Sequence, residues 1–333
     1  MGQSLVDFGR EAEAKPFSAR ALELAASPKE ILCLGNFPHS CTLYLRAMDR
    51  ALQADDLPTA TLAGANLVGE VDPVKASPFS RDDPAAKAAA RDEAVSILSR
   101  AADRTDRAFV AGKLLAELGR WDLAAMAMKK AVDLPEPKSQ SRAVLAIFQL
   151  RTGDLPGYRA TVAESLRQLG TSPEFNDAAW IVYLACLSPG GPEDREAVVR
   201  IAGLALDRPW EEPRMKALAL CRLGQAHYRA GRDDEAIRLC EASVAAHDFP
   251  LRNTAWIFLA LAHHRKGDSA AARRCLERVA AWEFEGPNGP AGFWDATAQA
   301  ILHDELRPLW TEAGIEPPAP PGLLRPEQGR TPR

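Results

Sequence analysis

Histidines are the residues whose type and spacing come nearest to a chemical site in this sequence. His227 lies 36 residues before His263, which is followed directly by His264. Imidazole groups bind metals and exchange protons near neutral pH. Metal-binding helices place their ligands at short fixed spacings, as in H-E-x-x-H, and no carboxylate or cysteine stands at such a spacing here. We therefore predict no metal site and interpret these histidines as half-buried packing residues.

A second chemical pattern is the tripeptide Asp7-Phe8-Gly9, which matches the magnesium-binding motif of protein kinases. It is not accompanied by a glycine-rich loop, a Val-Ala-Ile-Lys strand, a His-Arg-Asp loop or an Ala-Pro-Glu motif. The sequence also lacks a G-x-S-x-G nucleophile motif and a phosphate-binding loop. We predict no catalytic residues and no cofactor, and interpret the chain as a protein that is not an enzyme.

Composition excludes several other classes of function. The net charge of −4 and the isoelectric point near 5.9 do not favour nucleic-acid binding. The sequence contains neither an 18-residue apolar stretch nor the apolar core of a signal peptide, so we expect no membrane contact. Its six cysteines form no C-x-x-C pair. They predict reduced, buried thiols in a cytoplasmic protein.

The elements that would position any site are predicted by repeated glycines. Gly119 and Gly153 are 34 residues apart, and Gly231 and Gly267 are 36 apart. Each glycine lies between two alanine- and leucine-rich segments with helical periodicity. A period near 34 with a helix, a glycine turn and a second helix predicts an all-α array of helical hairpins.

Small residues flank these turns at constant distances. Gly112 and Ala124 lie seven residues before and five after Gly119, and Gly224 and Ala236 lie in the same positions around Gly231. Because antiparallel helices approach closely only where side chains are small, these positions predict the contacts within each hairpin. The Gly153 hairpin departs from the pattern, since Tyr158 replaces the small residue.

The remainder of the chain is less regular, and one hairpin with a turn at Asp56-Leu57-Pro58 is predicted before the array. We expect about five repeats in the array itself. The predicted organisation is a flexible N-terminus (1–16), an irregular helical region (17–104), the array (105–285), a C-terminal capping helix (286–314) and a disordered proline-rich tail (315–333).

The hairpins resemble tetratricopeptide repeats, whose pattern is W-x2-LG-x2-Y, a turn glycine, then A-x3-F and A. The resemblance is carried by LLAELGRWDLAAMAMKKAVDL and by WIFLALAHHRKGDSAAARRCLERVAAW. It implies a right-handed α-solenoid whose first helices line a concave groove for a protein or peptide. Over residues 105–310 the chain is also similar to the irregular C-terminal arrays of large bacterial serine/threonine kinase and WD-repeat signalling proteins.

The resemblance also assigns groove-facing positions within each repeat. Cys221 and Ile257 occupy fifth positions where the carboxylate clamp of chaperone-binding arrays has asparagine or lysine, so that clamp is not expected. Matching arginines favour an acidic ligand. The predicted groove residues are Lys113, Arg151, Arg222, Gln225, Tyr228, Arg229, Phe258, Leu261, His264 and Arg265.

Alternatives remain open on the sequence alone. The arginines could merely solvate the rim of the groove. The chain could be the regulatory portion or a paralogue of a kinase-type signalling protein, or a repeat regulator that binds peptide pheromones or a transcription factor. The partner's identity and the oligomeric state are open as well. The leading interpretation is a non-catalytic scaffold for protein–protein contacts.

Overall fold

The computed structural model describes residues 40–71, 84–134, 139–169, 175–206, 210, 212–246, 252–281 and 292–318. Over these ranges the chain is helical and forms no β-strand, which confirms the predicted all-α class. Fourteen helices are present in this part of the chain: α1 Ser40–Gln53, α2 Leu57–Val71, α3 Pro84–Ala101, α4 Thr105–Glu117, α5 Trp121–Val132, α6 Ser139–Thr152, α7 Leu155–Leu169, α8 Phe175–Ala185, α9 Arg195–Leu206, α10 Pro213–Arg229, α11 Asp233–Ala246, α12 Arg252–Arg265, α13 Ser269–Ala280 and α14 Gly292–Ala313.

Some sequence predictions concern residues outside these ranges. They include the flexible N-terminus 1–16, the Asp7-Phe8-Gly9 tripeptide, Cys33 and the proline-rich tail beyond residue 318. These stay predictions. Among the helices that the structure does describe, none combines the length and the apolar character needed to cross a bilayer.

The helices group into two compact units. The first contains α1 to α5, and the second contains α6 to α14. In the described ranges between residues 105 and 281 there are five helix pairs, and the first of them, α4–α5, groups with the N-terminal helices. The division between the two units follows α5. The array bounds at residues 105 and 285 stay predictions.

The four turn glycines share one backbone conformation. Gly119, Gly153, Gly231 and Gly267 all have φ between +77° and +82°, a left-handed geometry that glycine adopts without a steric penalty. After Gly231, the Arg232 N–H donates to the carbonyl of His227 at 2.9 Å, five residues earlier. This is the hydrogen bond of a Schellman C-cap, and it recurs at the other three turns. Each glycine therefore ends the first helix of its hairpin.

The irregular N-terminal hairpin α1–α2 uses a different residue for the same purpose. Asp55 has φ of 60°, and the next N–H, that of Asp56, donates to Ala51 at 2.9 Å. The turn is therefore centred on Asp55, just before the predicted Asp56-Leu57-Pro58. Its carboxylate also accepts a 2.8 Å hydrogen bond from Nε of Arg107 on α4, so this residue links two helices of the first unit.

The small residues permit the close helix contacts that their spacing predicted. A Cβ placed on Gly224 would lie 2.5 Å from the Sγ atom of Cys240 and 3.3 Å from the carbonyl oxygen of Ala236. On Gly112 it would lie 3.2 Å from the carbonyl oxygen of Ala124. A side chain at Gly224 would therefore force Cys240 to move, and one at Gly112 would require a shift of a few tenths of an ångström.

Tyr158 shows how the Gly153 hairpin tolerates a large residue at the small position. Its side chain is fully buried, and its hydroxyl donates a 2.6 Å hydrogen bond to the carbonyl of Leu184. Leu184 lies in the last turn of α8, where backbone carbonyls have no partner within the helix. The tyrosine therefore ties the second helix of one hairpin to the first helix of the next.

The first helices of successive hairpins form the interior of the second unit. Contacts run in chain order from α6 to α8, α10, α12 and α14, and α14 then contacts α6 again. We call these five the inner helices. The predicted capping helix α14 packs on the hairpin α12–α13 and also contacts α6, the first of the inner helices. The side chains between them are buried: Phe148, Tyr183, Gln225, Phe258, Leu302 and Leu306.

Candidate protein-interaction face

The predicted groove residues fall in both units. Lys113 lies on α4 in the first unit, with its Nζ 3.9 Å from Oε1 of Glu117 on the same helix. The other nine lie on α6, α10 and α12, and we call these nine side chains the inner face. They are Arg151, Arg222, Gln225, Tyr228, Arg229, Phe258, Leu261, His264 and Arg265.

Arg229 is the centre of the inner face. Its side chain is only 9% exposed, and its Nη1 and Nη2 atoms lie 2.7 and 2.6 Å from the two carboxylate oxygens of Glu305 on α14. Nε and Nη2 also donate to the carbonyl of Cys186 at 2.9 and 2.7 Å. Burial alone would lower the pKa of Arg229, but the hydrogen bonds and charge of Glu305 outweigh it and raise this pKa. The arginine is a charged, bidentate carboxylate receptor.

Arg222 is a second buried cation of the inner face and lies on the same helix as Arg229. Its guanidinium carbon lies 4.0 Å from the centre of the Tyr183 ring, and Nη1 donates to Oε1 of Gln225 at 3.2 Å. Within the described ranges it forms no ion pair with a carboxylate. An aromatic ring stabilises a cation through its quadrupole, so the Tyr183 ring favours the charged guanidinium, although its Nε is buried with no hydrogen-bond partner.

The apolar members of the inner face are part of the core. Tyr228 and Phe258 meet edge to face, with ring centroids 5.5 Å apart, and Leu261 is buried on the same helix as Phe258. The Arg229 guanidinium carbon lies 5.3 and 5.2 Å from the Tyr228 and Phe258 rings. These residues pack against other inner helices. An incoming ligand would therefore have to displace side chains that already contact them.

The edge of the inner face is more accessible. Arg265 forms an ion pair with Asp233, donates from Nη2 to the carbonyl of Tyr228 at 2.7 Å, and covers the Tyr228 ring. Hydrogen bonding to Asp233 raises the pKa of Arg265. The side chain of His264 is 41% exposed, with its Nδ1 atom 3.8 Å from Oε2 of Glu312 on α14.

The three arginines at matching repeat positions therefore have different surroundings. Arg229 is buried against a carboxylate of α14, Arg265 pairs with the neighbouring hairpin turn, and Arg151 on α6 is half-buried. They do not act together on a single ligand position. Arg229 holds the carboxylate of Glu305 on α14, which lies 76 residues further along the chain.

The histidines do not assemble a metal site in the part of the chain that the structure describes. His263 lies 3.9 Å from Asp268, the N-cap of α13, and burial lowers the pKa of the half-buried His227. No group of three or more histidine, cysteine or acidic side chains in the described ranges could hold a metal ion.

Glu305 is the functional candidate that the sequence analysis missed. It lies 76 residues after Arg229, beyond the last repeat. A signal was present, because Glu305 sits between the buried Leu302 and Leu306 on the apolar side of α14. A carboxylate on the buried side of an amphipathic helix requires a cation partner.

The second unit also carries an open cleft on its outer side, between α7 and α9. Its volume is about 500 Å³, with an apolar floor that includes Leu166 and Ala197. The rim carries Arg159 and Arg200 together with Glu193. This mixed-charge cleft is the alternative surface against which binding at the inner face has to be tested.

Comparison with known proteins agrees with the repeat architecture. The family model described as tetratricopeptide repeat matches residues 254–285, which include most of α12 and all of α13. A comparison with curated proteins finds no match. The match, the Schellman turns and the succession of helical hairpins together identify the fold as an all-α solenoid of the tetratricopeptide type.

Proposed function

We propose that this chain is a non-catalytic protein-interaction scaffold, whose inner face in the second unit receives an acidic segment of a partner. Tetratricopeptide-type hairpins suggest a role in protein–protein interaction. The observation that supports an acidic ligand is the Arg229–Glu305 pair, since a carboxylate already occupies the position that the repeat register assigns to ligand binding.

The physical basis of the proposal is a buried cation in an aromatic surround. Arg229 lies among Tyr228, Phe258 and the carbonyl of Cys186, with little solvent to compete for its hydrogen bonds. A bidentate arginine–carboxylate contact in such a site is directional as well as strong. It therefore selects a carboxylate carried by an ordered segment over a diffuse negative charge.

The proposal can be tested by site-specific photo-crosslinking in cells that express the chain naturally. A photoreactive residue at His264, on the accessible edge of the inner face, is compared with one at Arg200, beside the outer cleft. We expect crosslinks from position 264 to an acidic segment of a partner and none from position 200. Crosslinks from position 200 alone would place binding on the outer surface, and their absence at both positions would refute the scaffold.

A further inference from the structure

We propose that α14 is a resident ligand of the inner face, one that opens as a unit and is replaced by a partner helix with a carboxylate in the position of Glu305. The inference rests on the proposed function and names the class of partner: an amphipathic helix with an acidic residue on its apolar side. Access to the inner face would then be controlled by α14, a helix of the same chain.

The contacts of α14 are those expected of such a ligand. Glu305 binds Arg229 through both carboxylate oxygens. Leu302 and Leu306 are fully buried beside it, and Trp310 is buried one turn further on. A partner helix would reproduce these contacts if it had leucines three residues before and one residue after a glutamate, and an aromatic residue five residues after that glutamate.

The polar contacts around α14 are incompletely satisfied. The indole Nε1 of Trp310 is buried with no hydrogen-bond partner. On α12, Oδ1 of Asn253 is also buried without a partner, while its Nδ2 reaches Gln299 of α14 only at 3.3 Å. Gln299 of α14 also donates from Nε2 to Oγ1 of Thr254 on α12 at 2.8 Å, so the polar contact holds the helix in part, while the two unpaired atoms oppose its packing.

The helix itself has a weak point. Pro308 lies inside α14 and has no N–H to donate to the carbonyl four residues earlier. Each of the other inner helices has a second helix as its hairpin partner, whereas none follows α14 in the described part of the chain. A helix interrupted by a proline belongs at the low-stability end of a fold, where local opening is favoured.

Opening of α14 would leave a defined receptor behind. Arg229 would lose its carboxylate but keep its bonds to the Cys186 carbonyl, and Tyr228 and Phe258 would remain around it. A buried guanidinium without its counter-ion strongly favours recapture of an acidic group. Competition between Glu305 and a partner's carboxylate is therefore the expected switch.

Hydrogen exchange of the full-length chain tests whether α14 opens separately. We expect the amides of α14 to exchange faster than those of α10 and α12 in the native protein. Substituting Glu305→Gln should accelerate exchange in α14 by at least about tenfold and leave α10 and α11 nearly unchanged, because it penalises only the closed state. Asp304→Asn is the matched control, since Asp304 is exposed and pairs with Arg307 on its own helix. Exchange of α14 at the same rate as α10, in both variants, would overturn the inference.

A peptide supplied in trans tests replacement. A fluorescent peptide of residues 292–318 is added to the full-length Glu305→Gln chain, whose own helix lacks the carboxylate. We expect saturable binding, and binding at least about tenfold weaker for the same peptide with glutamine at position 305. Equal binding of both peptides, or binding of neither, would overturn the inference. These results do not depend on the natural partner. Separate opening of α14 and binding of the peptide, without crosslinks from position 264, would leave α14 as a displaceable ligand of the inner face and refute the proposed function.

Discussion

Gly224→Ala tests the close packing of the two helices in the α10–α11 hairpin. An alanine Cβ at this position would lie 2.5 Å from Cys240 Sγ, about 1 Å inside ordinary van der Waals contact. In an open helix the same substitution would stabilise the fold by about 1 kcal/mol through helix propensity. Overpacking of a tight core costs about 1–3 kcal/mol. We therefore expect the free energy of unfolding to fall by about 1 kcal/mol.

Urea unfolding followed by circular dichroism provides the measurement, with Gly203→Ala as the matched control. Gly203 is also helical and lies in the same unit, but a Cβ there would meet nothing within 4 Å. We expect the control to gain about 0.5–1 kcal/mol. Adding Cys240→Ala to Gly224→Ala should recover stability, since it removes the clashing Sγ. Gly224→Ala behaving like Gly203→Ala, with no coupling to Cys240, would refute the packing described for this hairpin.

Three further predictions concern single buried groups. Tyr158→Phe should lower the free energy of unfolding by about 1 kcal/mol in urea titrations, because the Leu184 carbonyl loses the tyrosine donor and keeps only the Leu187 N–H. An unchanged midpoint would contradict the bond. Burial lowers the pKa of His303 in the folded state, so as pH falls through about 6.5 the unfolded chain takes up a proton that the folded chain does not. The melting temperature should therefore decrease between pH 7 and 5.5, and it should decrease less steeply in His303→Gln. An equal pH dependence of the melting temperature in both proteins would be inconsistent with a lowered pKa of His303. Burial raises the pKa of Cys186 to about 12 and that of Cys240 well above its usual value. Both thiols should therefore react with a disulfide reagent at pH 8 only after unfolding. Rapid reaction of these thiols in the native chain would contradict their burial.

Local rules account for the part of the fold that could be predicted from sequence. The turn glycines and the small residues act through contacts within one hairpin, so a fixed spacing along the chain is sufficient to recognise them. The Asp154 carboxylate acts over the same short range at the start of α7, where it accepts a 2.9 Å hydrogen bond from the Gly157 N–H. These interactions join residues a few positions apart.

Contacts between hairpins, including those of the inner face, depend on residues far apart in the chain and could not be predicted in this way. Tyr158 was recognised as a departure from the repeat pattern, but its partner Leu184 lies 26 residues away. The register placed Arg229 on the groove side, whereas its partner depends on the curvature that brings α14 back to α6. Small rotations between successive repeats add up along a solenoid, and no single hairpin sequence encodes their sum.

The most direct test of the account is a double-mutant cycle between Arg229 and Glu305 in the full-length chain. Arg229→Met and Glu305→Gln, alone and together, are compared by urea unfolding. The two side chains are 9% and 15% exposed and share two hydrogen bonds. We therefore predict a coupling of about 2 kcal/mol in the free energy of unfolding. The double variant should lose about this much less stability than the two single variants lose in sum. Losses that add to within about 0.5 kcal/mol would show that α14 is not held at the inner face by this pair, and would contradict the account.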